Sequence, residues 1–232
     1  MDFNIQVFGR LQITDSIVFL ITETTESTWI VMGLLFIFAL IVRIKSRNWD
    51  STKKPTGLQN VIEMAVEAFE KLFRGNAGDK VGYLAPWLFS LFTFLIISNI
   101  IGIIGIRPPT ADWGMVFPLA FSSFILFQFA GLKYRPKEHL RGIFLEPVVI
   151  FAPINLLGEF AKPIAMSFRL FGNVLGGMIL LSLLYGMAPL ALQLVFPAFL
   201  HMYFDLAAGA LQAFIFIMLS IAFIGINSGA TE

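Results

Sequence analysis

Apolar residues in this chain come in long blocks separated by short charged stretches, and the spacing inside each block shows which blocks cross a bilayer. Positions 29–42 predict a first membrane-spanning helix, with Trp29 at one boundary and Arg43 and Lys45 at the other. Its apolar core is short, so flanking Ser, Thr and Arg side chains must complete the span. Positions 58–74 follow a different rule. Leu58, Val61, Ile62, Ala65, Phe69 and Phe73 recur at helical spacing, while Glu63, Glu67, Glu70, Lys71 and Arg74 take the opposite face. That pattern predicts an amphipathic helix lying on the membrane rather than through it. Positions 84–106 and 113–132 are predominantly apolar and free of charged residues and predict a helical hairpin, turned at Arg107-Pro108-Pro109, with Gln128 the only amide side chain of its second arm.

The last third, 144–227, is almost continuously apolar and is interrupted around 186–197. It predicts two helices longer than a bilayer requires. Residues 156–187 alone would measure roughly 48 Å at about 1.5 Å per residue, against a hydrocarbon core of about 30 Å. Such helices must tilt strongly or bend, with Pro163 a natural place for a bend. Ahead of the first span, residues 3–21 alternate loosely enough to predict a short hairpin outside the bilayer. The fold class is therefore all-α integral membrane: five transmembrane helices plus one surface helix, the last two helices long and strongly tilted. Residues 1–28 form an extracytoplasmic segment and residues 29–232 a single membrane domain.

Composition agrees. Of 232 residues 57% are hydrophobic and only 13% charged, about half the charged share of a soluble domain. A net charge of +1 leaves no basic excess to neutralise phosphates, so nucleic acid is not expected as a partner. The chain has no cysteine and two histidines, His139 and His201, so neither a disulfide nor a metal site is expected, and no cofactor is implied. The first 28 residues hold one basic residue, Arg10, and the apolar patch at 17–21 is followed by Glu23 and Glu26, which is not the layout of a secretory signal. Twelve of the 16 basic residues lie in 43–80 and 133–141, Arg10 and Arg107 fall on the other side, and Lys162 and Arg169 lie within the long helix. This asymmetry orients the amino terminus outside and the carboxy terminus in the cytoplasm.

Arg169 carries the strongest chemical signal. It stands in a run apolar enough to be buried in lipid, and a guanidinium keeps its proton under ordinary conditions. A charge at that depth marks a functional site by default. At about 100° per residue, Asn155, Glu159, Lys162, Arg169, Asn173 and Gly177 share a face roughly 100° wide. His201, Asp205 and Gln212 line up in the same way on the last helix, beside the small residues Ala208 and Gly209. The two stripes are expected to face a common partner or a common aqueous path. Simpler readings stand beside this one. Arg169 can be a structural cation neutralised by Glu159 or Asp205, Gln212 and Asn173 can be interhelical glue, and Glu159 with Lys162 can be a local i,i+3 ion pair. No phosphate-binding loop or dinucleotide fingerprint occurs, so no catalytic site is expected in this chain, and any engine driving ion flow belongs to another subunit.

Lys162-Pro163, then Phe168-Arg169-Leu170-Phe171-Gly172-Asn173, then Leu211-Gln212-Ala213-Phe214-Ile215-Phe216 together resemble subunit a of the rotary F-type ATP synthases, a component of the membrane Fo sector. The resemblance is strongest from about Glu146 onward. It implies a stator subunit packed against a rotating ring of c subunits and held by peripheral-stalk b subunits, in a bacterial-type cell membrane. Two offset half-channels would carry protons to and from the ring carboxylate. Arg169 matches the family's essential arginine, Gln212 the amide placed near it, and Asn173 the asparagine one turn on. Some members have glutamate where this chain has Met178, and histidine or glutamate where it has Asp205. The resemblance therefore assigns the outer half-channel to Asp205 with His201 beside it, and the cytoplasmic side to Glu159. The competing classes are a stand-alone transporter, which calls for internal repeats that the sequence lacks, and a purely structural anchor.

Overall fold

The computed structural model describes residues 7–14, 17–47, 49, 57–145, 149–187 and 199–230. Strands β1 (Val7–Thr14) and β2 (Ile17–Thr22) pair antiparallel, with Arg10 opposite Leu20 and Leu11 opposite Phe19. This is the hairpin the alternation predicts, and it is the only sheet among the described residues. It runs straight into α1 (Glu23–Ser46), which starts six residues ahead of the expected span because Glu23 and Glu26 supply favourable acidic groups to its first turn. Only the start of α1 is packed, through Thr24, Ser27, Thr28 and Val31, whereas Met32, Phe36, Ile37, Leu40 and Ile44 are left to lipid.

Five helices are long and apolar enough to cross a membrane: α1, the span Asp79–Ile104 built on α3 (Ala85–Ile100), α4 (Trp113–Tyr134), α6 (Ala152–Met187) and α7 (Phe199–Ser228). Helix α2 (Leu58–Ala77) is not among them. Its carboxy-terminal half docks through Phe69, Phe73 and Ala77, while Val61, Met64 and Val66 stay exposed as an apolar strip, the arrangement of a helix resting on a membrane surface. The basic stretch at 133–141, expected as a loop, contains a further short helix, α5 (Pro136–Phe144), started by Pro136 at its first position.

Helix α7 is the centre of the bundle. Its packed face, with Ala213, Phe216, Ile217, Ile221 and Ile224, meets Leu88 and Leu95 of α3, Val116 and Phe127 of α4 and Phe73 of α2. Glycine allows the closest approaches. A Cβ at Gly225 would strike the Asn76 carbonyl of α2, and one at Gly209 would lie 2.8 Å from Asn99 Cβ. Small residues play this part where helices associate through packing instead of water exclusion. Helix α6 is helical without interruption through the buried Pro163, and at 36 residues it is about 54 Å long. That excess over a bilayer core obliges it to lie oblique or to project beyond the hydrocarbon. The expected interruption at 186–197 falls mostly at 188–198, outside the described residues.

Candidate functional site

Arg169 is exposed on α6, between Phe168, also exposed, and the fully buried Leu170. What turns it outward is the grip of α4 on the residues before it. Trp113 Nε1–H donates to Ser167 Oγ across 3.2 Å, and the Trp113 ring stacks on Phe168 at a centroid distance of 5.6 Å. With Met166, Ser167 and Leu170 locked against the bundle, the helix cannot rotate and the guanidinium stays on the open side. Neither carboxylate that could have neutralised it does so. Glu159 is held by Lys162 and by Gln128, and Asp205 is held by His201. The reading of Arg169 as a structural cation paired to Glu159 or Asp205 is therefore overturned.

The two polar stripes do not face one another along their length. They divide between two clefts at opposite ends of the bundle. The first, of about 460 Å³, is lined by Glu23 and Glu26 of α1, Arg107, Met178 and Leu181 of α6, and His201 and Asp205 of α7. The second, of about 1030 Å³, is lined by Glu138 and His139 of α5, Asn155, Glu159 and Lys162 of α6, and Asn227 of α7. Arg169 lies between them on α6, seven residues from Lys162 and nine from Met178, or about 10 and 14 Å along the helix axis.

In the first cleft His201 Nδ1 and Asp205 Oδ2 are 2.7 Å apart, and both residues line the cavity. Residues Met202–Ala208 form a π-helical stretch. Wider turns of this kind are rare and concentrate at functional positions. They also undo the simple wheel: Asp205 and Gln212 are separated by a segment that does not advance 100° per residue. Asp205 lines the cleft, and Gln212 is instead buried in the packed face of α7 with its Nε2 lacking a hydrogen-bond partner. The carboxylate of Asp205 is let in by Gly102, whose hypothetical Cβ would sit 3.2 Å from Asp205 Cγ. Arg107 approaches Glu23 at 3.8 Å on the same cleft.

The second cleft holds a connected polar chain. Glu159 Oε1 takes the Lys162 ammonium, completing the expected i,i+3 pair, and Glu159 Oε2 accepts from Gln128 Nε2 at 2.8 Å. Gln128 Oε1 in turn lies 2.6 Å from His139 Nε2. Lys162 also stands over the Phe223 ring, 5.1 Å from its centroid. Asn173 is half-buried one turn beyond Arg169. Gln128 and His139 were not among the residues singled out by spacing. The amide of Gln128 was visible as the lone polar interruption of its helix, but its partner is 31 residues away.

The sequence profile described as ATP synthase A chain matches residues 26–225. The sodium-ion-specific ATP synthase subunit a of Propionigenium modestum is 36% identical over 233 residues, covering 92% of this chain and 76% of that protein. The ATP synthase subunit a of Oceanobacillus iheyensis is 32% identical, covering 84% of this chain and 85% of its own length. That of Mycoplasmoides gallisepticum is 30% identical, covering 87% and 77%.

Proposed function

This chain belongs to the ATP synthase A chain family, and on that premise we propose that it is the stator subunit whose two clefts are offset proton half-channels working against a rotating c-ring. Transmembrane proton flow through them is thereby coupled to rotation and to ATP synthesis. The observation that carries this reading is the placement of Arg169: outward-facing, without an ion-pair partner among the described residues, and between two polar clefts that open at opposite ends. A ring of c subunits covers the exposed flank of α6, b subunits brace the complex, and the lipid bilayer meets the rest.

In this arrangement the first cleft opens to the outside and the second to the cytoplasm, following the basic-residue asymmetry, with the amino terminus outside a bacterial-type cell membrane. A proton enters past Glu23 and Glu26, reaches His201 and Asp205, and is passed to the ring carboxylate. After rotation that carboxylate meets Arg169. A fixed cation within about 4–6 Å favours the charged form of the acid, so the proton leaves by way of Glu159. The same charge repels any proton moving straight from cleft to cleft. Asn173 and Gln212 order the neighbourhood of the arginine. The relative from Propionigenium modestum is named as sodium-specific; the first cleft of this chain carries a histidine–carboxylate pair, a combination suited to proton transfer.

The deciding experiment replaces Arg169 with Ala in the assembled complex and measures ATP-driven proton pumping and passive proton leak in liposomes. Pumping is expected to be lost and leak to rise. Normal pumping by Arg169→Ala would overturn the reading.

A further inference from the structure

The chain from α5 to α6 has a direction built into it. A carboxylate only accepts hydrogen bonds, so the amide nitrogen of Gln128 must face Glu159 and its oxygen must face His139. An amide oxygen also only accepts, so His139 must carry its proton on Nε2. The orientation of Gln128 is thus fixed from both sides, and His139 fixes one of them. We propose that His139 is a positioning residue for proton release: acting through Gln128, it holds an N–H on Glu159 Oε2 so that this carboxylate stays aimed into the cytoplasmic cleft, and it withdraws that support when the cytoplasmic face is acidified.

Two further observations support the proposal, which rests on the half-channel reading. The imidazole lies on Gly131 of α4, where a Cβ would come within 2.7 Å of its Cγ and Nδ1. A helix residue without a side chain is what gives the ring its seat. Burial there pushes the imidazole below its ordinary 6.5, Glu159 opposing that shift and Lys162 adding to it. The charged groups on this cleft are Glu159 and Lys162 from α6, Glu138 and Arg141 from α5, and Arg135 at the start of α5. Lys133 of α4 turns away, over the Tyr83 ring at 4.5 Å. The imidazolium keeps its Nε2–H, so charging His139 does not itself break the bond to Gln128. It places a cation beside Lys162 in a desolvated seat, and expelling the charged ring from Gly131 is what takes the N–H away from Gln128 and frees the amide to turn.

The test uses the complete ATP synthase in liposomes, with ATP-driven proton pumping measured against the pH of the ATP-containing side and normalised to uncoupled ATP hydrolysis at the same pH. Wild type is expected to lose pumping as that pH falls below the ordinary imidazole value. His139→Ala should pump about tenfold more slowly at every pH, the scale of one lost hydrogen bond to a charged group, and should lack the acidic limb. His139→Gln, which restores an N–H donor without a titrating ring, should recover the rate and still lack the limb. Gly131→Ala, which unseats the ring, should resemble His139→Ala while the complex remains assembled on native gels. A His139→Ala profile superimposable on wild type, or an assembled His139→Gln complex as slow as His139→Ala, overturns the proposal. If Arg169→Ala abolishes pumping while His139→Ala is normal, this inference alone falls. If Arg169→Ala pumps normally, the half-channel reading falls with it.

Discussion

Trp113 of α4 and Ser167 of α6 are joined by a hydrogen bond of 3.2 Å, two residues before the exposed Arg169. The same indole lies tilted against Phe117 at 5.0 Å and stacks on Phe168 at 5.6 Å, so one side chain sets the rotation of α6 about its own axis. Trp113→Ala should cost about 1–4 kcal/mol, adding one neutral hydrogen bond to one or two ring contacts. Pumping should fall by more than the loss of assembled complex explains, because the guanidinium is no longer aimed. Trp113→Phe keeps the stacking and should recover most of the rate, as read by ATP-driven proton uptake per assembled complex.

Gly102 leaves room for Asp205. A Cβ there would lie 3.2 Å from Asp205 Cγ and 3.3 Å from both Asp205 Oδ2 and Pro108 Cγ. Gly102→Ala requires shifts of only a few tenths of an ångström and should slow pumping mildly. Gly102→Val cannot be accommodated that way and should displace the carboxylate from His201. Proton uptake from the outer side should then fall severalfold, measured as ATP synthesis driven by an imposed acid bath. Equal rates in Gly102→Val and wild type would remove Asp205 from the outer path.

Gln212 pairs a structural cost with a proposed use. Its Nε2 is buried without a partner, and an unsatisfied buried donor costs about 1–3 kcal/mol. Gln212→Leu should therefore leave thermal stability in detergent unchanged or higher while reducing pumping. Lower stability with normal pumping would show that the amide serves packing alone.

Acid should loosen α5. His139 has its proton affinity lowered by burial, so just below pH 6.5 the unfolded chain binds more protons than the folded one. Stability rises with pH through that window and is lost as pH falls. Hydrogen exchange of the α5 amides should be faster at acidic than at neutral pH, and His139→Gln should remove the difference.

The helices were legible in the sequence because each follows a period set by local chemistry. The apolar blocks at 84–106 and 113–132 and the amphipathic run at 58–74 reappear as α3, α4 and α2, with ends moved by a few residues. Arg169 was legible as well, since a charge in an apolar run stands out without tertiary information. The pairing of Gln128 with Glu159 was not, because it joins residues on different helices. The π-helical stretch at Met202–Ala208 escaped for another reason. Nothing in its residue types forbids ordinary turns, and the wheel that aligned Asp205 with Gln212 assumed them. Helix α5 was hidden by its charge, which reads as loop until α4 and α6 provide something to lie against.

The two clefts leave only the stretch of α6 between Lys162 and Met178 to separate them, roughly 24 Å of helix at 1.5 Å per residue. If the clefts are the proposed half-channels, water reaching in from both faces compresses an applied voltage into the barrier that remains. Each elementary charge crossing it collects about 2.3 kcal/mol per 100 mV, delivered over that short distance beside Arg169 instead of being spread across the whole bilayer. On that reading the electrical half of the driving force is brought to bear at Arg169, on the exposed flank of α6.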